Sequence, residues 1–131
     1  MQQHRILLAE DNKINQVVAV GTLKKLGYVV DIVEDGSQAV SATAAERYDA
    51  VLMDVMMPGV DGYQATGMIR ERERMQGAKP LPIVGLSARA MAGDREIALD
   101  AGMTDYLTKP LRTSALEEVL GRLIGGPVAV D

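Results

Sequence analysis

The sequence predicts an α/β fold, a doubly wound sheet of five parallel strands with five crossover helices, and three observations carry that reading. Short runs rich in Val, Ile and Leu recur five times, each followed by a longer amphipathic stretch, the alternation that a parallel sheet covered by helices requires. The first, third and fourth runs are almost wholly apolar, as strands covered on both faces must be. Polar residues stand directly after the runs, where an open α/β sheet binds its ligands.

The first strand is Ile6-Leu7-Leu8-Ala9, and it runs into Glu10-Asp11. Asn15, Val18, Ala19, Thr22, Leu23 and Leu26 then recur at helical spacing and read as a core stripe, stopped by Gly27. The second strand, 29–33, is interrupted by Asp31 and so belongs nearer an edge. After a helix over 37–45, the third strand, 50–53, runs into Asp54. Pro58-Gly59 suits the centre of a turn and Gly62 a further bend, before a helix over 63–76. Residues 77–82 hold two prolines and a glycine and read as a loop. The fourth strand, 83–86, leads into Ser87-Ala88 and a helix over 91–101 stopped by Gly102. The fifth, 105–108, leads into Lys109-Pro110 and a last helix over 113–124. Ser114 and Glu117 are spaced as a capping box, with Thr113 the alternative cap. One domain is expected over 1–124, with 125–131 a frayed tail or linker.

Composition narrows the function. A chain of 131 residues makes one domain, and 47% hydrophobic with 24% charged residues excludes disorder for most of it. The net charge of −4 offers no electrostatic footprint for nucleic acid or an anionic membrane. Zero Cys removes disulfides, thiolate zinc sites and cysteine nucleophiles. The single His4 can build neither a histidine metal cage nor a Ser/His triad, and reads as a surface residue. No secretory segment and no window of membrane-spanning length is visible, so a cytoplasmic setting is expected.

The strand ends carry the chemistry. Glu10, Asp11, Asp54, Ser87 and Lys109 are far apart in sequence, yet the predicted sheet brings them to one rim. Three carboxylates in one cleft repel, so a hard cation with oxygen ligands is the natural occupant, and Mg²⁺ fits best. Such an ion keeps waters and takes a phosphate oxygen, which makes the rim suited to phosphoryl transfer. Lys109 supplies a point charge for phosphoryl oxygens, Ser87 a hydroxyl donor, and the central Asp54 the nucleophile. Met53, Met56 and Met57 read as packing and rim filler rather than a thioether metal set. Ile14 and Val17 lie off the core stripe and form an apolar pair at i, i+3, either an exposed patch or the margin of a wide stripe.

These residues resemble, in order, the receiver domain of two-component response regulators. The resemblance runs from about Arg5 to Ile124 and rests on Leu8-Ala9-Glu10-Asp11-Asn12, on Leu52-Met53-Asp54-Val55-Met56-Met57-Pro58-Gly59-Val60-Asp61-Gly62, on Ser87-Ala88, on Tyr106 and on Lys109-Pro110. It implies a flavodoxin-like sheet in the order 2-1-3-4-5. Asp54 would be the phosphoacceptor, helped by Lys109 and Ser87, and supplied by a histidine kinase or a histidine phosphotransfer protein. Asp11 and Asp54 would ligate Mg²⁺ directly, Met56 through its backbone carbonyl and Glu10 through water. Ser87 and Tyr106 would form the switch pair, and the Lys109-Pro110 bond would be cis. Ile14 and Val17 would dock the partner, consistent with the family's use of its first helix.

The segments Glu10-Asp11-Asn12-Lys13-Ile14-Asn15-Gln16, Met53-Asp54-Val55-Met56-Met57-Pro58 and Ala101-Gly102-Met103-Thr104-Asp105-Tyr106-Leu107-Thr108-Lys109-Pro110-Leu111 are similar to receivers fused to hybrid sensor histidine kinases. The resemblance therefore implies a domain that catalyses its own phosphorylation and dephosphorylation without being a stand-alone enzyme. It would be a monomer in isolation, touching neither nucleic acid nor membrane, on its own or as the cytoplasmic part of a membrane-bound kinase. Gly85 departs from the family, where Ala is commoner, and Met56 and Arg89 fall at variable rim positions. Three other readings compete. A receiver-shaped module without phosphorylation would not need the acidic set. A haloacid-dehalogenase-like phosphohydrolase would carry Asp where Met56 stands, and a flavodoxin-like FMN binder would carry a Gly/Ser/Thr loop where Glu10-Asp11 stands.

Overall fold

The computed structural model describes residues 4–88 and 93–124. Strands β1 (Arg5–Ala9), β2 (Val29–Val33), β3 (Ala50–Asp54), β4 (Ile83–Ser87) and β5 (Asp105–Thr108) alternate with helices α1 (Lys13–Lys25), α2 (Gly36–Ala45), α3 (Gly62–Gln76), α4 (Asp94–Asp100) and α5 (Thr113–Ile124). The strands form one sheet in the order β2-β1-β3-β4-β5, every pair parallel. This is the flavodoxin-like order, with β2 at an edge and the three apolar strands inside.

The pleat sends alternate side chains to opposite faces, so each central strand feeds two cores. Leu7, Ala9, Val51, Met53 and Ile83 face Ala39 of α2, Ala65 and Ile69 of α3 and Ala98 of α4. Ile6, Leu8, Leu52, Val84 and Leu86 face Ala19 and Leu23 of α1 and Leu116, Val119 and Leu120 of α5. Burial of β3 and β4 on both faces leaves their carboxyl-end residues, Asp54 and Ser87, inside the ladder and still at the rim.

Several local expectations need correction. Val18 and Asn15 of α1 are exposed, while Gln16 is buried, because the Gln16 amide donates to the Glu10 carbonyl at 2.6 Å, where an apolar side chain would leave that oxygen without this donor. Gly62 is no bend. It is the first residue of α3, where an added Cβ would lie 2.3 Å from the Asp54 carbonyl oxygen. The helix starts there because Asp61 and Gln64 form a reciprocal capping box. Helix α5 opens at Thr113, the Leu116 amide donating to the Arg112 carbonyl, so Ser114 and Thr113 lie inside the first turn rather than ahead of it.

Gly77 and Gly102 take positive φ where α3 and α4 end, and Gly59 does so in the bend after β3, conformations in which glycine avoids the strain of a Cβ. The fourth helix is described from Asp94, so the expected start at 91, the rim residue Arg89 and the tail 125–131 lie outside the described residues. Asp105 is buried on β5 and is paired by Arg95 of α4 at 3.0 Å and by Arg122 of α5. Burial raises its pKa, but the Arg122 bond, the Tyr106 amide and Arg95 together hold it below the ordinary carboxylate range. Among the described residues no helix is long and apolar enough to cross a membrane.

Candidate functional site

The rim is assembled by the ends of β1, β3, β4 and β5. Glu10 follows β1 directly, its amide donating to the Val33 carbonyl. Its carboxylate receives the Asn12 amide at 3.1 Å on one oxygen and the Lys109 ammonium at 2.6 Å on the other. Asn12 also caps α1, accepting from the Asn15 amide at 3.0 Å, so one residue fixes both the helix start and the carboxylate. Asp54 is buried at the end of β3. It accepts from Lys109 at 2.9 Å and from the Met56 amide at 3.3 Å. Asp11 is exposed at the lip.

Carboxylate oxygens of Glu10, Asp11 and Asp54 all lie within 4.8 Å of one another. Among the described residues one ammonium, that of Lys109, stands against these three carboxylates, an excess of negative charge. Oxygen donors at such spacing, two buried and one open to water, suit a hard divalent cation that keeps part of its hydration. Burial alone would pull the Lys109 pKa down, but its bonds to Glu10 and Asp54 outweigh that and raise it, so the side chain is a cation at any physiological pH.

Lys109 is held by backbone as well as charge. Its amide donates to the Ser87 carbonyl at 2.7 Å, and the Lys109-Pro110 bond is cis. Ser87 is buried at the end of β4, opposite Thr108. The Met56 side chain is exposed at the rim while Met53 and Met57 are packed in the core, in line with filler rather than ligation by sulfur. Tyr106 is buried, 9% exposed, on β5 beside Gly85.

Ile14 and Val17 are 74% and 73% exposed, and Val18 at 55% joins them. The α1 patch is therefore larger than the sequence pattern suggests, and these side chains are not the margin of a core stripe. Beside it lies a cavity of about 140 Å³ lined by Leu8, Val18, Ala19, Leu86, Pro110 and Leu111 among others. His4 is half-buried with Nδ1 3.4 Å from an Asp49 carboxylate oxygen, on the far side of the strands from the rim. Sequence reasoning missed Gln16 and the cap role of Asn12. A polar N-cap type just ahead of a helical stripe was the available signal for Asn12; Gln16 offered none, because its partner is a backbone oxygen.

The family model described as response regulator receiver domain matches residues 6–121. Sensor protein GacS of Pseudomonas syringae pv. syringae is 44% identical over 92% of this chain, and the chain spans only 13% of that relative's length. The receiver domain of a sensor histidine kinase from Pseudomonas aeruginosa PAO1, solved with a magnesium ion coordinated in the active site cleft, is 48% identical. It matches with a TM-score of 0.84 over 95% of this chain and 99% of that one. The receiver domain of Ssk1 in a Saccharomyces cerevisiae co-crystal with the phosphotransfer protein Ypd1 gives a TM-score of 0.89 at 29% identity, over 94% of this chain and 90% of the matched one.

Proposed function

The chain belongs to the response regulator receiver family, the phosphoacceptor domains of two-component signalling, and from that premise we propose that Asp54 is the phosphoacceptor of a Mg²⁺-dependent site. The observation that carries this reading is the bridge of Lys109 between Glu10 and Asp54, in a cleft where carboxylate oxygens of Glu10, Asp11 and Asp54 lie within 4.8 Å of one another. A carboxylate oxygen of Asp54 attacks the phosphorus of a phosphohistidine. The new O–P bond forms as the P–N bond breaks, and its electron pair returns to the imidazole nitrogen of the donor.

Asp11 and Asp54 would hold Mg²⁺ directly, with the Met56 carbonyl, and Glu10 through water. When bound, that ion supplies positive charge to the phosphoryl oxygens. Lys109 stabilises charge on the same group, and the Ser87 hydroxyl donates to a phosphoryl oxygen. The domain modifies itself and turns over no separate substrate. The expected extent of 1–124 accommodates the matched 6–121.

The similarity to GacS and to a histidine kinase receiver supports a place within a hybrid kinase or its relay. The exposed patch of Ile14, Val17 and Val18, with the cavity beside Pro110, suits a helical partner of the histidine kinase or phosphotransfer type. The Ssk1 complex with Ypd1 is a precedent for such pairing. The test of the acceptor is Asp54→Asn, which keeps size and removes the nucleophilic charge. Acetyl phosphate with Mg²⁺ should label the wild type, by intact mass, and leave the variant unlabelled; equal labelling of both would sink the assignment.

A further inference from the structure

Glycine inside a central strand weakens the ladder and packs nothing, so it marks a place where something approaches the backbone closely. Gly85 is such a residue, in the middle of β4 with Met53 of β3 on one side and Tyr106 of β5 on the other. The point where its Cβ would stand lies 2.4 Å from Met103 Sδ, 3.3 Å from Met103 Cε and 3.3 Å from Tyr106 Cδ1. The thioether and the aromatic ring therefore flank one spot over the bare Cα.

Met103 reaches the same spot from the turn between α4 and β5. Its amide donates to the Ala98 carbonyl at 3.0 Å, and Ala98, Met103 and Tyr106 are buried in one cluster. The next amide, that of Thr104, donates to the Ile83 carbonyl at 2.7 Å, which pins the turn to β4. At the other end of the ring, the Tyr106 hydroxyl donates to the Asp94 carboxylate of α4 at 3.5 Å. Tyr106 thus meets α4 directly through its hydroxyl at Asp94, while Met103, which shares the spot over Gly85 with the ring, is tied to α4 by its backbone amide at Ala98.

We infer that Met103, seated on the bare Cα of Gly85, is the positioning residue through which the place of the Tyr106 ring is passed to helix α4. The inference deepens the proposed function and rests on the reading of Tyr106 as the switch aromatic. A ring that turns away from the seat leaves the thioether without a neighbour, and the flexible Met103 side chain follows it. A rigid or branched side chain would not follow, and an alanine at position 85 would fill the seat before either could use it. Because the obstructing atoms belong to the end of a flexible side chain, Gly85→Ala folds with Met103 displaced.

The test uses methyl-labelled methionine and labelled tyrosine in NMR, with Met103→Ala assigning the Met103 methyl among the 8 methionines. Beryllofluoride with Mg²⁺, a stable stand-in for aspartyl phosphate, should shift the Met103 methyl, the Tyr106 ring and the Ala98 amide together in the wild type. Gly85→Ala should move the Tyr106 ring signals without beryllofluoride. The same substitution in a Met103→Ala background should move them by less than about half as much, because the two residues contend for one space. Acetyl phosphate labelling should persist in every variant. A Tyr106 ring that responds while the Met103 methyl stays still, or a Gly85→Ala effect unchanged by removing Met103, overturns the inference alone. A wild-type ring that ignores beryllofluoride overturns the reading of Tyr106 and the inference with it.

Discussion

Lys109 is the residue on which the charge balance of the cleft turns. Its ammonium lies 2.6 Å from Glu10 and 2.9 Å from Asp54, so it offsets the mutual repulsion of carboxylates whose oxygens lie within 4.8 Å of one another. The same charge opposes the entry of a second cation. Replacing it should therefore act in opposite directions on two measurements. Lys109→Met should tighten Mg²⁺ severalfold in a calorimetric titration, since a competing positive charge is gone, yet slow acetyl phosphate labelling by roughly a hundredfold, the usual cost of losing one preorganised donor to a developing charge. Weaker Mg²⁺ binding in this variant would mean that Lys109 supports the carboxylate geometry rather than competing with the cation. At this scale the sequence was a good guide to where Glu10, Asp11, Asp54, Ser87 and Lys109 lie, because each stands at the end of an apolar run. It was a poor guide to Gln16, whose burial is set by a backbone carbonyl that no side-chain pattern reports.

Helix α1 serves two surfaces, and the elements differ in how openly their pattern declares this. Ala19 and Leu23 are buried toward the sheet with Gln16, while Ile14, Val17 and Val18 are turned to solvent within the first two turns after Asp11. These three apolar side chains stand more than half exposed near the proposed phosphoacceptor, and they suit a protein donor that would bring its histidine to Asp54. Ile14→Glu should then slow phosphotransfer from a phosphorylated histidine protein by at least tenfold, about 1.4 kcal/mol, and leave labelling by acetyl phosphate nearly unchanged. Equal loss with both donors would place the damage in the fold or the site. The strands were legible nearly to the residue because runs of Val, Ile and Leu between polar ends leave little choice of register. Helix α1 was legible in extent but not in face: Val18 fits the helical period, yet the polar demand at Glu10 rotates Gln16 inward instead. Capping at α5 was misjudged for a related reason, since Arg112 precedes a helix whose first turn already contains Thr113 and Ser114.

Across the whole molecule, the sheet order is what gathers the site. Strands β1 and β3 lie side by side and β4 and β5 follow, so residues from positions 10 to 109 meet at one end of the sheet while the cores on both faces hold the strands rigid. That architecture links cation binding to global stability. Unfolding scatters Glu10, Asp11 and Asp54, so the proposed Mg²⁺ site exists only in the folded chain, and binding there should stabilise the fold by mass action. At ten times its Kd the ion should contribute about 1.4 kcal/mol, which for a domain of this size raises Tm by about 3–8 °C. Sodium chloride at matched ionic strength should not reproduce the gain, because it screens the carboxylates without bridging them. Asp11→Ala removes a proposed ligand at the exposed lip, so the variant should fold normally and lose most of the Mg²⁺ increment. An equal increment in wild type and Asp11→Ala would place the ion elsewhere on this acidic chain and break the link between the cleft and the stability of the sheet beneath it.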